Sequence, residues 1–225
     1  MSELKDLYLH EQLLLLALSD EKGTMQSLNF EFGAGGAVLA ELLLTGHLGL
    51  EQVRKKQFVK LLDDTLTGDP LLDEVLQRVR AGKRPEQPAA WVRRIAGTKR
   101  LRHRIAERLR YRGILGKKQG RVLLVFSRDL YPTLDPEPER ALLALLREAL
   151  LGTGEVAPTT AILLALAHHI GLDYVLFSRP ERKAHKRRLK QLVSLESVAG
   201  EAREAVKCVQ EVIEANNAAA VIAAT

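Results

Sequence analysis

Leu7-Tyr8-Leu9-His10-Glu11-Gln12-Leu13-Leu14-Leu15-Leu16-Ala17-Leu18-Ser19-Asp20-Glu21-Lys22-Gly23 opens the chain with an apolar run from Leu13 to Leu18. That run predicts a mostly apolar helix over residues 2–19. With no polar face to offer water, the helix must be buried. It is too short to cross a bilayer, which needs about 18 or more apolar residues. Glu3, Asp6 and Glu11 stand before the run, where a signal peptide carries positive charge. The expected location is therefore cytoplasmic, with any membrane contact made from the surface.

A second stretch follows, Thr67-Gly68-Asp69-Pro70-Leu71-Leu72-Asp73-Glu74-Val75-Leu76. Asp69 is a good helix cap and Pro70 suits a first turn. Leu71, Leu72, Val75, Leu76 and Val79 then recur at helical spacing. The same reading predicts helices over 37–46, around Trp91, and over 99–112, 137–151, 158–169, 180–194 and 199–223. Leu48 to Val53 and Phe58 to Leu62 read as short strands. Gly113-Ile114-Leu115-Gly116 starts a strand, Lys117 to Arg121 turns, and Val122 to Phe126 returns, which is a hairpin pattern. No repeat, low-complexity tract or linker longer than a turn interrupts the chain. The expected fold class is mainly α: a single globular helical domain over residues 1–225, with a few short strands including that hairpin.

The 225 residues suffice for a full core. Aromatics make up only 4%, so Leu, Ala and Val must fill it. A net charge of +6 favours an anionic partner, whether lipid headgroup, nucleic acid or acidic protein. Cys208 is the single cysteine, which excludes an internal disulfide, and its Val206, Val209 and Val212 neighbours predict a buried, inert thiol. Adjacent His168 and His169 cannot share a metal simply. The chain has no Cys-x-x-Cys, His-x-x-x-His or Gly-x-Ser-x-Gly pattern. Neither an enzyme active site nor a metal or cofactor is expected.

The basic cluster is the strongest signal. Twelve Lys and Arg residues lie between Arg93 and Arg121, with Glu107 as the sole acid. Leu101, Ile105 and Leu109 form one apolar stripe there. Lys99 and Arg102 lie off the stripe at i, i+3, where two cations can grip one phosphate through charge-assisted hydrogen bonds. A solvated face paired with acids from elsewhere is the competing reading. A second basic run, Arg179 to Lys190, reads better as a solvated face. Gly33-Ala34-Gly35-Gly36 stands before the predicted 37–46 helix and could lend amides to a phosphate. It is not a P-loop, since no Gly-Lys-Ser/Thr follows, and taken alone these glycines read better as close helix packing. Trp91 reads as core.

The opening stretch, Gly33 to Leu42, Thr67 to Leu76, Arg102 to Leu115, Val122 to Phe126, Tyr131-Pro132-Thr133-Leu134 and Leu163 to His168 together resemble the Golgi phosphoprotein 3 family. The resemblance implies a single, mostly helical, peripheral membrane protein that binds phosphatidylinositol 4-phosphate and helps retain glycosyltransferases. The family's headgroup pocket joins an aromatic and a basic residue near the glycine loop to two basic residues on a later helix. The later pair falls on Lys99 and Arg102. Gly35 stands where the eukaryotic pattern has a basic residue, and Leu28 or Phe30 takes the aromatic's place. The lost contacts are worth several kcal/mol, so weaker 4-phosphate preference is expected, with general anionic-lipid binding kept. These departures resemble a prokaryotic member. The hairpin is implicated by the resemblance in membrane insertion or self-association, with Lys117, Lys118 and Arg121 at its turn and Val122 and Leu124 on its apolar strand. The implied partners are anionic phospholipid, membrane-protein clients and a second copy of the chain.

Two rival readings stand beside this one. A nucleic-acid-binding protein could use the 93–121 cluster, but no helix-turn-helix, RNA-recognition or zinc signature occurs and stacking aromatics are scarce. A protein adaptor without lipid binding is the other.

Overall fold

Burial on every side shapes α1 (Leu9–Ala17), whose residues Leu13 to Ala17 have no more than 1% exposure. The structure, a computed structural model, describes residues 6–19, 23–122, 126–194, 200 and 202–223. α1 begins later than expected, because Tyr8 is extended and its N–H donates to Glu11 Oε2 at 3.0 Å, closing the helix start. α2 (Phe30–Leu44) begins earlier than expected. Gly33 to Gly36 therefore lie inside a helix rather than before one, and their amides are not a free helix start. Helix-interior glycines cost about 1 kcal/mol each. Here they admit neighbours: a Cβ on Gly33 would sit 2.6 Å from Ile170 and one on Gly36 would sit 2.1 Å from Val209.

β1 (Leu48–Val53) and β2 (Lys56–Leu61) pair antiparallel, Leu48 facing Leu61, and Arg54 turns the chain in the left-handed region at φ 56°. α3 (Pro70–Ala81) starts as its sequence predicts: Asp69 accepts the Leu71 and Leu72 N–H groups at 2.8 and 2.9 Å. α4 (Pro88–Ala96) and α5 (Leu101–Tyr111) follow, with Trp91 and the Leu101–Ile105–Leu109 stripe buried. α6 (Glu137–Leu151) and α7 (Pro158–His169) match their predicted spans. α8 (Asp173–Leu176), α9 (Arg179–Ala184) and α10 (Lys186–Leu192) come next, the break at His185 dividing what reads as one helix. α11 (Ala202–Ala223) ends the chain. α2 is the hub, packed against α1, α4, α7 and α11. The class is mainly α with two small antiparallel sheets. Among the described residues no helix is long and apolar enough to cross a membrane.

The second hairpin departs from its expected register. β3 (Lys118–Val122) pairs with β4 (Phe126–Leu130), Val122 facing Phe126. Lys117 to Arg121 therefore do not form the turn. Lys118, Arg121 and Val122 lie in β3, and the strands are joined through 123–125, so Leu124 lies outside the described residues. The hairpin's base fixes this. Leu115 bridges Thr133, and the Gly116 N–H donates to the Pro132 carbonyl at 2.8 Å. Apolar continuity from Val122 to Phe126 suggested one strand; the anchored register splits it between two.

The two signature stretches meet in a buried ionic knot. Tyr8 Oη donates to the Thr67 carbonyl at 2.7 Å, and His10 Nε2 lies 3.5 Å from Asp69 Oδ2. Arg108 from α5 reaches Glu11 Oε1 at 3.0 Å and Asp69 Oδ2 at 3.1 Å, and Arg112 reaches Glu11 at 3.5 Å. Burial works to raise the Asp69 pKa, but His10, the Leu72 amide and Arg108 hold it below the usual carboxylate value. A cleft of about 830 Å³ opens beside the knot, between α5 and the starts of α1 and α3.

His169, at the end of α7, carries a pH prediction. Burial and then the neighbouring His168 depress its pKa from 6.5 to about 4. The unfolded chain thus binds the proton more readily than the native one, and stability is lost as pH falls from 6.5 to about 4. The loss from this group is on the order of 3 kcal/mol. We expect His169→Gln to flatten the pH dependence of the urea midpoint across that window; an unchanged slope would count against it.

Candidate functional site

Five of the basic residues on or beside α5 are spent on partners. Arg104 binds Glu74 at 2.6 Å, Arg108 and Arg112 hold the ionic knot, Arg110 binds Glu107 at 2.6 Å, and Arg100 lies 3.5 Å from Asp129. Lys117 bridges Glu107 at 3.0 Å and Asp129 at 3.4 Å. On the preceding helix Arg94 takes Glu86 at 2.6 Å and stacks over Trp91. Of this cluster, and among the described residues, Lys99, Arg102, Arg93 and Lys118 have no ion pair.

Lys99 and Arg102 flank the start of α5. Gly97 and Thr98 close α4, and the Leu101 N–H returns to the Thr98 carbonyl at 3.1 Å. Arg100, at φ 57°, turns the chain into α5 and provides no side-chain cap. The first-turn amides of a helix have no intrahelical acceptor and carry its positive dipole end. No acid sits in the first turn of α5. The fold thus places two cations that make no ion pair among the described residues at a helix start with no side-chain cap, which suits an anion.

A cleft of about 280 Å³ adjoins this corner. Thr98, Leu101 and Arg102 line one side, Glu31 at the start of α2 another, and Asp129 and Tyr131 the β4 side. Its acidic wall is linked by a chain of contacts: Tyr131 Oη hydrogen-bonds His103, which lies 3.4 Å from Asp129. Burial lowers the His103 pKa, with Arg100 and Lys117 acting in the same direction. Burial works to raise Glu107, yet hydrogen bonds from Arg110 and Lys117 bring it down to about 2. Burial first, then Glu107 and Asp129, raise the Tyr131 pKa. At neutral pH the network is thus a neutral imidazole and a phenol held among fixed charges.

The structure brings only part of the sequence-predicted site together. Arg102 lines the cleft, and Lys99 is exposed beside it. Gly35 does not reach it: the residue is buried, and a Cβ there would lie 2.6 Å from the Val92 carbonyl oxygen of α4. Close helix packing, the better reading of these glycines from the sequence, is the use of Gly35 here. Phe30 is core, whereas Leu28 is fully exposed three residues before Glu31 and forms no wall of the cleft. Lys117 is not free for headgroups, because Glu107 and Asp129 hold it. Glu31, Asp129 and Tyr131 were missed by the sequence reading, since nothing local ties them to α5. The Arg100–His103–Glu107 spacing could have signalled the helix-borne half.

Cys208 is buried as expected, with its pKa pushed up to about 12, first by burial and then by Glu204 and Glu211. Such a thiol is not a nucleophile at neutral pH. Among the described residues no group of three His, Cys, Asp or Glu side chains could hold a metal ion.

Over residues 9–209 the chain matches the family described as Golgi phosphoprotein 3 (GPP34). It is also similar to vacuolar protein sorting-associated protein 74 of Schizosaccharomyces pombe, with 28% identity over 149 residues. That alignment covers 57% of this chain and 44% of the relative, so the chain spans less than half of the relative's length. With nearly the whole helical core, the first signature stretch from Leu9 onward, the second stretch and the α4–α5 corner inside the matched span, the chain belongs to the Golgi phosphoprotein 3 family.

Proposed function

We propose that the protein is a peripheral membrane module that binds the phosphate of an anionic lipid headgroup, such as phosphatidylinositol 4-phosphate, at the α4–α5 corner. One observation carries this reading: in a cluster whose other α5 cations are paired, Lys99 and Arg102 make no ion pair among the described residues and stand at a helix start with no side-chain cap. Membership of the family supports it, as does similarity to a relative named for vacuolar protein sorting. The role is one of binding rather than catalysis, with membrane-protein clients as cargo and a second copy as a further partner. Preference for the 4-phosphate is weak, because Gly35 offers no cation and the cleft presents Glu31 and Asp129. These departures from the eukaryotic pattern also fit a prokaryotic member. The apolar sequence Leu123-Leu124-Val125 between β3 and β4 supports a shallow insertion role for the hairpin, with Lys118 nearby as a cation that makes no ion pair among the described residues.

Flotation with phosphatidylcholine vesicles, with and without phosphatidylinositol 4-phosphate, tests this. Each cation near an anionic surface contributes about 1 kcal/mol, so Lys99→Ala with Arg102→Ala lowers partition roughly thirtyfold. Leu124→Asp weakens binding in the same assay. Unchanged partition of the Lys99/Arg102 pair, in a protein that melts like the wild type, overturns the corner as the site.

A further inference from the structure

The second basic run does not lie as a featureless solvated face. Arg179, Arg182, Lys183, Lys186 and Lys190 follow one another at i, i+3, i+4, i+7 and i+11 across α9 and α10. The spacing puts Arg179, Arg182 and Lys183 on one side of α9, and Lys186 and Lys190 on one side of α10; together the five line a groove of about 540 Å³. Leu189 and Val193 provide its apolar floor, and His168 of α7 stands at its edge with Nδ1 held by Asp173 at 2.7 Å.

Two features separate the groove from an ordinary basic surface. The first is charge. None of the five cations has an ion pair among the described residues, and the nearby acids are engaged elsewhere. Glu181 caps Ser178 and faces Arg147 at 3.7 Å, while Asp173 holds His168. The Nε of Arg182 is buried with no hydrogen-bond acceptor among the described residues, and a buried donor gains from an acceptor brought to it. The second is shape. The groove far exceeds a lone phosphate, and its floor is apolar.

We propose that the α9–α10 groove is a second lipid contact, taking the phosphodiester of an anionic glycerophospholipid among its cations and the glycerol–acyl junction on Leu189 and Val193. Phosphodiester oxygens accept from Lys and Arg with charge assistance, and the apolar floor suits the chain-bearing end. Lysine stems can lie along that floor with their heads in water. Nucleic acid fits less well, because the lining has no aromatic platform of Phe, Tyr or Trp on which a base could stack. The site shares with the α4–α5 corner only the premise of an anionic membrane; its residues, helices and ligand part are its own.

The test uses the full chain and phosphatidylcholine vesicles containing about one-fifth phosphatidylglycerol and no phosphoinositide, at low salt. Lys183→Ala, Lys186→Ala and Lys190→Ala are combined and compared with Lys55→Ala, Lys56→Ala and Lys60→Ala, which remove the same charge from the β1–β2 hairpin. The groove triple is expected to lose at least tenfold in partition, the hairpin triple less than threefold. Equal losses overturn the proposal in favour of diffuse attraction, as does no loss. Because neither the groove lysines nor Lys55, Lys56 and Lys60 make an ion pair among the described residues, both triples should melt like the wild type; a Gln triple replaces the Ala triple if it does not. A second arm follows binding of dihexanoyl phosphatidylglycerol below its micelle concentration against glycerol phosphate. Binding of the lipid alone supports the apolar floor; equal binding of both makes the groove a free-phosphate site and overturns the lipid assignment. Loss of random-DNA binding by the groove triple with unchanged vesicle binding overturns it in favour of nucleic acid. The Lys99/Arg102 variant, run alongside, should keep most phosphatidylglycerol binding, so failure at one site is read separately from failure at the other.

Discussion

Gly35→Arg lowers the melting temperature by about 10 °C and leaves 4-phosphate selectivity unrestored. The substitution is the natural attempt to rebuild the cation that the eukaryotic pattern has at this position. Its first atom already fails, since a Cβ would lie 2.6 Å from the Val92 carbonyl oxygen and 3.3 Å from the Ala96 nitrogen. Both obstacles are backbone, so no rotamer change relieves them, and α4 must lift from α2. Overpacking costs about 1–3 kcal/mol and the arginine head adds a charge that must be desolvated or escape. At roughly 2–4 °C per kcal/mol for a chain of this size, the shift is large enough to measure by calorimetry. Gly36 provides the control. A Cβ there would meet the Val209 Cγ2 at 2.1 Å, and that obstacle is a side chain that can be shortened. Gly36→Ala is therefore partly rescued by Val209→Ala, whereas Gly35→Ala is not rescued by Val92→Ala. Wild-type melting of Gly35→Arg would show that the α2–α4 contact yields at little cost.

Arg108→Ala should be the most damaging single change in the basic cluster, at about 3–5 kcal/mol. Glu11 is fully buried and Asp69 is 1% exposed, and Arg108 is hydrogen-bonded or ion-paired to both. Its guanidinium also donates to the Gly68 carbonyl at 3.0 Å and lies over the Tyr8 ring at 5.2 Å. Removing it leaves Glu11 with Arg112 at 3.5 Å and Asp69 with His10. Two buried carboxylates with weakened compensation cost more than the packing lost. Glu11→Gln combined with Arg108→Met should accordingly be more stable than Arg108→Ala alone, when denaturant midpoints are compared. A midpoint for Arg108→Ala within about 1 kcal/mol of the wild type would mean that water or His10 compensates the knot. The α4–α5 corner is not part of this knot, so lipid partition of the folded Arg108→Ala fraction should stay near the wild-type value.

The local rules read from the chain hold where neighbours in sequence decide the outcome. The Asp69 cap, the Pro70 start, the Leu101–Ile105–Leu109 stripe and the buried Trp91 and Cys208 each depend on spacing within a few turns. The mainly α class follows from the same periodicity. Tertiary structure decided the rest. Periodicity cannot say which of twelve nearby cations keep their charge free, because Glu11 meets Arg108 across 97 residues and Asp129 meets Arg100 from a different element. It cannot distinguish a glycine that frees an amide from one that admits another helix, since only the approach of α4 settles the use of Gly35. Nor can an apolar run fix its own register: the Leu115–Thr133 bridge at the base of the hairpin divides Val122 from Phe126. Helices are made by hydrogen bonds between near neighbours, and so are legible in sequence; counter-charges, close approaches and strand register are made by residues far apart, and exist only once the chain has packed.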